Sequence, residues 1–453
     1  MTDLSAEPTY RVGTLAYTRA ALVTLFVYLL WGDFCFTVME TVVPSVLPIV
    51  LKNAGASNTV IGVLVGGIAT LLNMVITPVV SFQSDRYRSR FGRRIPYLLW
   101  PTPFIVLFLS LIPFSPEISG RLERLTVWQN LLEHSPISSL ILVTGVFVTL
   151  FQVANMVVAS IYYYLFNDVV PTHMLSRFLA LFKAVGTLAG FFYNRYVFGL
   201  AETHTKHIFV GAAVLYGVSF FLMCWRVKEG DYDPPSPQDH RHPGIFGSIR
   251  MYFRQCFSRA YYVWFFVGTA LFSVASASVQ FRVFFFRENL NLSLDNIGKI
   301  NSWPAILMLA LFYPLGWVSD KIKPIRMVML STVLLIAMNA ACFFLIRSER
   351  SALVWLLVMA IPTTMFLVSN LPMYAELLPR AQYGQFCSAQ ALVNSVFLFA
   401  GNWLCGQFLD FVKDYRQTFV WSLAFGALSF LAMLNVYLGW KRYGGPNQYQ
   451  APL

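Results

Sequence analysis

Twelve apolar segments, each long enough to cross a lipid bilayer, constrain the fold of this chain more than any other feature. A spanning helix needs about 20 consecutive, mostly apolar residues. We predict such helices at 18–50, 58–82, 96–114, 137–166, 178–200, 207–226, 259–286, 293–318, 326–346, 352–376, 382–411 and 416–440. Only 12% of the 453 residues are charged, against about 25% in soluble domains. The sequence therefore predicts an all-α membrane protein whose main partner is the lipid bilayer.

Two short basic turns occupy equivalent places in the two halves of the chain. The first basic turn is 84–94, SDRYRSRFGRR, and the second is 316–326, GWVSDKIKPIR. A second matched pair follows, because Asp168 and Glu376 each stand three residues before a proline, after the fourth and the tenth apolar segment. Matched features at equivalent helices indicate two pseudo-symmetric six-helix bundles, and membrane proteins duplicated in this way are commonly transporters.

A polar, proline-rich stretch separates the two sets of helices. We therefore expect a first bundle at 1–226, a cytoplasmic linker at 227–258 and a second bundle with a cytoplasmic tail at 259–453. The segment 245–257 has the composition of an amphipathic surface helix, although a plain solvated linker explains it equally well. Lysines and arginines cluster in the loops of one side, which predicts that both termini are cytoplasmic and that 115–136 is an outer loop, with or without a short surface helix. The expected location is the cell inner membrane.

Charge and cysteine usage exclude several other classes. The net charge of +12 falls in short loops between apolar runs, whereas nucleic-acid-binding proteins place it along one exposed face. The six cysteines form no CxxC pair, and the six histidines show no HExxH spacing. We therefore expect no nucleic-acid partner, no metal, no cofactor and no enzyme activity. We also expect a monomer.

The first basic turn resembles the loop between helices 2 and 3 of the major facilitator superfamily. The typical pattern of that loop is Gly-x-x-x-Asp-Arg-x-Gly-Arg-Arg. This turn matches its Asp-Arg and Gly-Arg-Arg parts with four extra residues before the glycine, and Ser81 stands where the leading glycine is expected. The resemblance covers most of the chain and implies a twelve-helix transporter that works by alternating access. It also implies a cytoplasmic gate, to which we assign Asp85, Arg86, Gly92, Arg93, Arg94, Asp168, Arg177, Gly316, Asp320, Lys321 and Glu376. The alternative is that these charges only set the orientation in the membrane.

Some segments resemble the sugar-transporting branches of that superfamily, namely the glycoside–pentoside–hexuronide cation symporters and the sucrose–proton symporters. They are the Ser-Arg-Phe-Gly-Arg-Arg part of the first basic turn and the segments 28–34 and 162–164. Two departures limit the resemblance. Asn73 and Thr77 stand where sodium-coupled members carry aspartates, and Tyr163 stands where plant sucrose symporters carry an arginine. The resemblance thus implies a sugar or glycoside substrate without sodium coupling.

Two acids lie inside the first apolar segment. A charge in the bilayer core costs at least about 2.5 kcal/mol on insertion scales, so that an acid there is a candidate functional residue. Glu40 follows Asp33 by seven residues, which places it about 20° round a helix and ~10.5 Å along it. Because burial disfavours the charged form of a carboxyl group, both acids are suited to bind and release protons. We predict that Asp33 and Glu40 couple transport to protons; the alternative is a structural pairing with a neighbouring helix.

Polar and aromatic side chains inside the helices supply the candidate substrate site. Amides offer donors and acceptors to sugar hydroxyls, and aromatic rings stack on the apolar faces of sugars. We predict that the substrate binds near the bilayer midplane, between the two bundles, at Asp33, Asn73, Asn155, Tyr163, Lys183, Trp303, Asn370 and Asn394. The amides also have a commoner use as bonds between helices. Lys183, like Arg282, is long enough to reach the bilayer surface.

The predicted function is secondary active transport of a sugar or glycoside, with proton symport as the expected coupling. A first alternative is a transporter of the same superfamily that moves a nucleoside, drug or other metabolite by uniport or efflux. A second, from a different class, is a membrane sensor without transport or a channel. Saturable flux of a labelled solute separates a transporter from both.

Overall fold

The computed structural model describes residues 10–132, 138–230 and 254–452. In this part of the chain twelve helices are long and apolar enough to cross a membrane, which confirms the predicted number. We number them α1 to α12. Their bounds are Arg19–Asn53, Asn58–Arg86, Ile95–Leu122, Ser139–Val169, Thr172–Glu202, Thr205–Arg226, Ala260–Asn289, Leu294–Ile322, Pro324–Leu345, Glu349–Leu377, Tyr383–Val412 and Gln417–Arg442.

Hydroxyl side chains fix the start of several of these helices. Thr18 accepts a hydrogen bond from the backbone N–H of Ala21 at 3.2 Å, and Ser293 accepts one from Asn296 at the same distance. Ser348 and Ser351 form a reciprocal capping box at the start of α10. Each such bond satisfies an N–H group that has no partner inside the helix.

Four of the spanning helices are not regular α-helix throughout. α2 contains a π-helical turn at Val63–Gly67, and α5 contains one at Tyr193–Val197. α3 tightens to a 3₁₀ turn at Ile112–Phe114, and α7 does so at Ala277–Phe281. Irregular turns of this kind redirect side chains and are frequent at functional sites. The turn in α7 directly precedes Arg282.

Smaller elements differ from the sequence-based expectations. A short antiparallel hairpin, β1 at Tyr10–Val12 and β2 at Leu15–Tyr17, precedes α1. The predicted outer loop at 115–136 instead contains the last turns of α3 and a short helix at Thr126–Leu132. Most of the predicted linker at 227–258 and of the segment 245–257 lies outside the described residues.

Packing divides the described chain into two units. The first comprises Met1–Ala56 and Leu72–Ser236, and the second comprises Ser57–Leu71 and Pro237–Leu453. The first half of α2 therefore groups with the C-terminal helices. The boundaries predicted at 226 and 258 stay a prediction.

Each unit has its own aromatic core. In the first unit Tyr162 is fully buried and packs against Phe36, Phe166 and Phe220, with ring centroids 4.8–5.6 Å apart. The core of the second unit includes Tyr262, Phe265, Phe266, Phe386 and Trp440. All six cysteines are free thiols and five are buried, as expected of small apolar side chains.

Candidate functional site

Asp33 lies in α1 with 2% of its surface exposed, inside the first unit. The preceding residue is a glycine for a packing reason, because a Cβ atom at Gly32 would lie 2.7 Å from Met223 Sδ and 3.0 Å from the Tyr162 hydroxyl. That hydroxyl donates a hydrogen bond to the carbonyl of Leu29 at 2.9 Å. α4 and α6 therefore hold the backbone of α1 firmly beside the carboxyl group.

The side chain of Asp33 faces α5. A Cβ atom at Gly186 would lie 3.6 Å from Asp33 Oδ2, so this glycine leaves room for the carboxyl group. Oδ2 is buried and accepts no hydrogen bond among the described residues. Lys183 lies one turn before Gly186 and is exposed. It forms no ion pair in the described chain, but its charge acts on Asp33. The charge of Glu40 also acts on Asp33. Asp33 is thus a buried carboxyl group with an unused oxygen and a cation nearby.

Glu40 lies two turns along α1 and contacts α4. Asn155 donates a hydrogen bond from Nδ2 to Glu40 Oε1 at 3.2 Å, while its own Oδ1 is buried without a partner among the described residues. Tyr163 is 47% exposed, and its ring packs against Phe182 with the centroids 5.4 Å apart. The charges of Asp33 and Glu40 both act on the phenol of Tyr163. The structure therefore brings Asp33, Glu40, Asn155, Tyr163 and Lys183 together on three helices of the first unit.

Asn73 belongs to a different network. The Thr77 hydroxyl donates to Asn73 Oδ1 at 2.6 Å and shares a hydrogen bond with the Ser160 hydroxyl at 2.7 Å. These bonds connect α2 to α4. Asn73 is exposed, and no contact in the described chain joins it to Asp33.

In the second unit the polar groups are more dispersed. Asn370 and Asn394 each have a buried Oδ1 atom without a partner among the described residues, and Trp303 is half exposed. None of the three lines the cavity of about 380 Å³ that includes Gln280 and Asn402. Gln280 Nε2 donates to Asn402 Oδ1 at 2.8 Å in that cavity.

The first basic turn is held by a dense set of ion pairs. Arg93 binds Asp168 through two hydrogen bonds, from Nε at 3.0 Å and from Nη2 at 2.6 Å. Arg94 binds the same carboxylate at 3.1 Å and also contacts Asp85 and Ser84. The side chains of Arg94 and Asp168 are only 6% and 10% exposed. Four of the predicted gate residues, Asp85, Arg93, Arg94 and Asp168, therefore form one network that joins α2, the loop after it and α4. A fifth, Gly92, adjoins this network.

Glu229 completes this network, a role that no motif in the sequence indicates. Its carboxylate accepts backbone N–H bonds from Arg93, Arg94 and Ile95 at 2.9, 2.8 and 2.6 Å. Gly92 has φ +103°, and a Cβ atom there would lie 2.5 Å from Glu229 Cδ. Burial raises the pKa of Glu229, while the three N–H bonds oppose that rise. The acid follows α6 in sequence, where we had counted it as part of the linker.

Two other predicted gate residues lie outside this network. Arg86 places its guanidinium 3.9 Å from the centroid of the Phe82 ring. Arg177 is exposed and does not pair with Asp168, whose partners in the described chain are Arg93 and Arg94.

Among the described residues, the second basic turn forms no comparable network. Asp320 and Lys321 are exposed, and Asp320 forms no ion pair within the described ranges. Lys321 Nζ lies 3.5 Å from the centroid of the Trp317 ring, and a Cβ atom at Gly316 would meet open space. Glu376 is half-buried, and the charges of Lys323 and Arg326 act on it without forming an ion pair in the described chain.

One further contact was not predicted. In the second unit, Asp410 of α11 accepts hydrogen bonds from the backbone N–H groups of Asn58 and Thr59 at 2.8 and 2.9 Å, and from the Thr59 hydroxyl at 2.6 Å. A Cβ atom at Gly406 would lie 2.5 Å from Thr59 Cα. A carboxylate at a helix N-terminus is favourable because it satisfies free N–H groups, so this contact fixes the start of α2 against α11.

In the part of the chain that the structure describes, no three His, Cys, Asp or Glu side chains are grouped to hold a metal ion.

The sequence matches the model of the Major Facilitator Superfamily over residues 29–402. The chain belongs to the Major Facilitator Superfamily. It is therefore a multi-pass membrane protein of a transporter family.

Solved structures of transporters share the fold. A bacterial homolog to the human lysosomal transporter Spinster, in an inward-facing and unoccupied conformation, is 13% identical with a TM-score of 0.67, covering 93% of this chain and 98% of its own. A D-xylose–proton symporter is 13% identical with a TM-score of 0.63, covering 91% and 97%. The nucleoside transporter NupG is 10% identical with a TM-score of 0.63, covering 91% and 98%. At this level of sequence identity, structural likeness establishes the fold of this chain alone.

Proposed function

We propose that this superfamily member is a symporter that couples the uptake of a sugar or glycoside to protons by alternating access. We place it in the cell inner membrane with both termini cytoplasmic. The observation that carries the proposal is Asp33, a buried carboxyl group whose Oδ2 atom has no hydrogen-bond partner among the described residues. Intramembrane acids are functional residues by default. A proton on Oδ2 would turn this unused acceptor into a donor.

Proton binding at Asp33 would change the local charge without moving the backbone. When ionised, the carboxylate attracts Lys183 and repels Glu40, whose charges both act on it. When protonated, it loses both interactions. Lys183 is then free to move away from α1, since it forms no ion pair in the described chain. Glu40 stays attached to α4 through Asn155, which makes it the secondary candidate for coupling.

The groups near Asp33 suit a polyhydroxylated ligand. Tyr163 presents a half-exposed ring for the apolar face of a sugar. Asn155 has an unused acceptor, and amides bind hydroxyl groups in either direction. In the second unit Asn370 and Asn394 offer unused acceptors and Trp303 a half-exposed ring. Asn73 is the weakest of the proposed substrate residues because Thr77 already occupies its Oδ1.

Two sets of contacts are proposed to act as gates. On the cytoplasmic side, the network of Arg93, Arg94 and Asp168 holds the first basic turn. On the outer side, Asp410 holds the start of α2 against α11. Charge-assisted hydrogen bonds of this kind are roughly twice as strong as neutral ones. We propose that each set opens when its side of the transporter opens.

An uptake experiment tests the proposed substrate class. Cells without their own sugar permeases would express the protein and receive labelled sugars, glycosides, nucleosides and amphiphilic drugs, with and without a protonophore. We expect saturable uptake of one sugar or glycoside that the protonophore abolishes. Saturable uptake of only a nucleoside or a drug, unaffected by the protonophore, would contradict the proposal and favour a uniporter. Flux that does not saturate would indicate a channel, and binding without flux would indicate a sensor.

A further inference from the structure

Arg282 lies inside the second unit at an unusual position for a cation. It follows the 3₁₀ turn of α7, and its Nη2 atom donates hydrogen bonds to Asn339 Oδ1 at 2.9 Å and to Ser422 Oγ at 3.1 Å. Its guanidinium also lies 4.9 Å from the centroid of the Phe419 ring. α9 and α12 therefore hold the guanidinium among the helices. We expected the Arg282 side chain to extend toward the bilayer surface, and these contacts show that it packs among the helices instead.

The charge of Arg282 has no counter-ion in the described chain. No Asp or Glu side chain there forms an ion pair with it, and its Nε atom is buried without any hydrogen-bond partner. The residue as a whole is of intermediate exposure and lines a cavity. An uncompensated buried charge is unfavourable. A planar guanidinium with a free donor is well matched to a carboxylate.

The cavity beside Arg282 has a volume of about 350 Å³. Thr332 and Thr363 line it, but their hydroxyls donate to carbonyl groups of their own helices at 2.8 Å and so present only acceptors. Leu335, Ile336 and Met359 contribute apolar walls. Arg282 is therefore the source of charged donors in a mostly apolar cavity. A ligand that fits both features has one anionic end and an apolar body.

An aromatic pair separates this cavity from the one that contains Gln280 and Asn402. Phe272 of α7 and Phe366 of α10 stack with their centroids 3.7 Å apart and at an angle of 12°. Both rings line both cavities. A ligand at Arg282 would therefore touch rings that also border the second cavity.

We propose that this cavity binds a small organic carboxylate, with the carboxylate paired to the Arg282 side chain and the apolar body against Ile336 and Met359. The site goes beyond the proposed sugar transport and does not depend on it, since all its residues belong to the second unit and none to the Asp33 cluster. The same chemistry has two sources: a free acid from solution or a fatty acid from the bilayer.

Binding to the purified full-length protein in neutral detergent tests the proposal. The probes are 3-phenylpropionate, oleate and the neutral isostere 3-phenylpropanol, and the readout is the shift of the thermal unfolding midpoint with concentration, since a ligand of the folded state raises it. We expect a saturable shift with 3-phenylpropionate or with oleate, which identifies the free or the bilayer source, and none with 3-phenylpropanol. An equal shift with the neutral alcohol, or no shift with either acid, would overturn the proposal.

Variants assign the effect to the cavity. Arg282→Gln removes the cation and is expected to weaken the binding of the acid at least tenfold. Arg347→Gln removes an equal charge from an exposed arginine and should bind the acid as the wild type does. If Arg282→Gln does not fold, Ile336→Phe fills the cavity, keeps the arginine and is expected to abolish the shift. Unchanged binding in Ile336→Phe, or equal loss in Arg347→Gln, would refute the site.

Discussion

The two basic turns are related in sequence but differ in structure. In the first, Arg93 and Arg94 share the buried carboxylate of Asp168, and Glu229 accepts three backbone N–H bonds beside them. In the second, Asp320 is exposed and without an ion pair in the described chain, and Lys321 rests on Trp317. Within the described residues, both turns thus carry charges but only the first forms a network of ion pairs. We therefore expect stability, and the proposed gating, to depend mainly on the first turn.

Removing Arg94 should have the largest effect. Arg94→Gln deletes the contacts to Asp168, Asp85 and Ser84 and leaves a buried carboxylate without part of its charge compensation. Breaking a buried ion pair from one side typically costs about 3–5 kcal/mol, so we expect a marked fall of the thermal unfolding midpoint. Lys321→Gln is the matched control, and its loss should be below about 1 kcal/mol because the contact to Trp317 is exposed. Equal losses in the two variants would show that the turns do not differ.

Gly92 should be the next most sensitive position. Gly92→Ala places a Cβ atom against Glu229 at φ +103°, and a non-glycine residue in such a conformation costs about 1–3 kcal/mol. The control Gly316→Ala enters open space in a helix and should be neutral, or stabilising by about 0.5–1 kcal/mol. Unfolding midpoints of both variants measure the contrast. A Gly92→Ala variant as stable as the wild type would contradict the close approach of Glu229.

Glu229 should make the stability of the first turn depend on pH. Burial raises its pKa above 4.5, so the protonated form is favoured in the folded state. Its contribution to stability is therefore present below the ordinary pKa and is lost as pH rises through the raised value. We expect the stability of the wild type relative to Glu229→Gln to decline as pH rises above the ordinary pKa of a glutamate, by less than the Gly92→Ala effect because solvent screens the group. A difference that grows with pH would reverse the sign and refute the burial argument.

Asp320 should be the least sensitive of the charged positions. Asp320→Asn removes an exposed carboxylate without an ion pair in the described chain, and surface changes of this kind stay within about 0.5 kcal/mol. We expect unfolding midpoints and transport rates close to those of the wild type. A strong loss of transport in Asp320→Asn would instead support an equal gate role for both turns, as the resemblance implies.

The fold was predictable from the sequence because a bilayer permits few solutions. Apolar runs of sufficient length identify spanning helices without any knowledge of packing, and all twelve were found. Helix ends were less predictable: α3 continues through a 3₁₀ turn to Leu122, where the polar composition after 114 indicated a loop. The hairpin at Tyr10–Tyr17 was missed because two three-residue strands leave no clear pattern.

The site was predictable only where the chemistry is visible in one residue. Asp33 was identified as a candidate coupling residue because it is a charge inside an apolar run. Asp168 was identified as a candidate gate residue because it belongs to a repeated proline motif. Glu229 and Asp410 act on backbone N–H groups that are distant in sequence, and no local pattern encodes such a contact. The length of the Arg282 side chain suggested that it reaches the bilayer surface. In the fold it instead donates hydrogen bonds to Asn339 and Ser422.

Transport by Asp33→Asn in proteoliposomes tests the central claim most directly, once the uptake panel has provided a substrate. The amide keeps the size of the side chain but cannot exchange a proton, so we expect accumulation driven by a pH gradient to be lost while exchange of labelled for unlabelled substrate is retained. Asp320→Asn makes the same chemical change at an exposed carboxylate and should accumulate substrate normally. Full accumulation by Asp33→Asn would contradict proton coupling through Asp33.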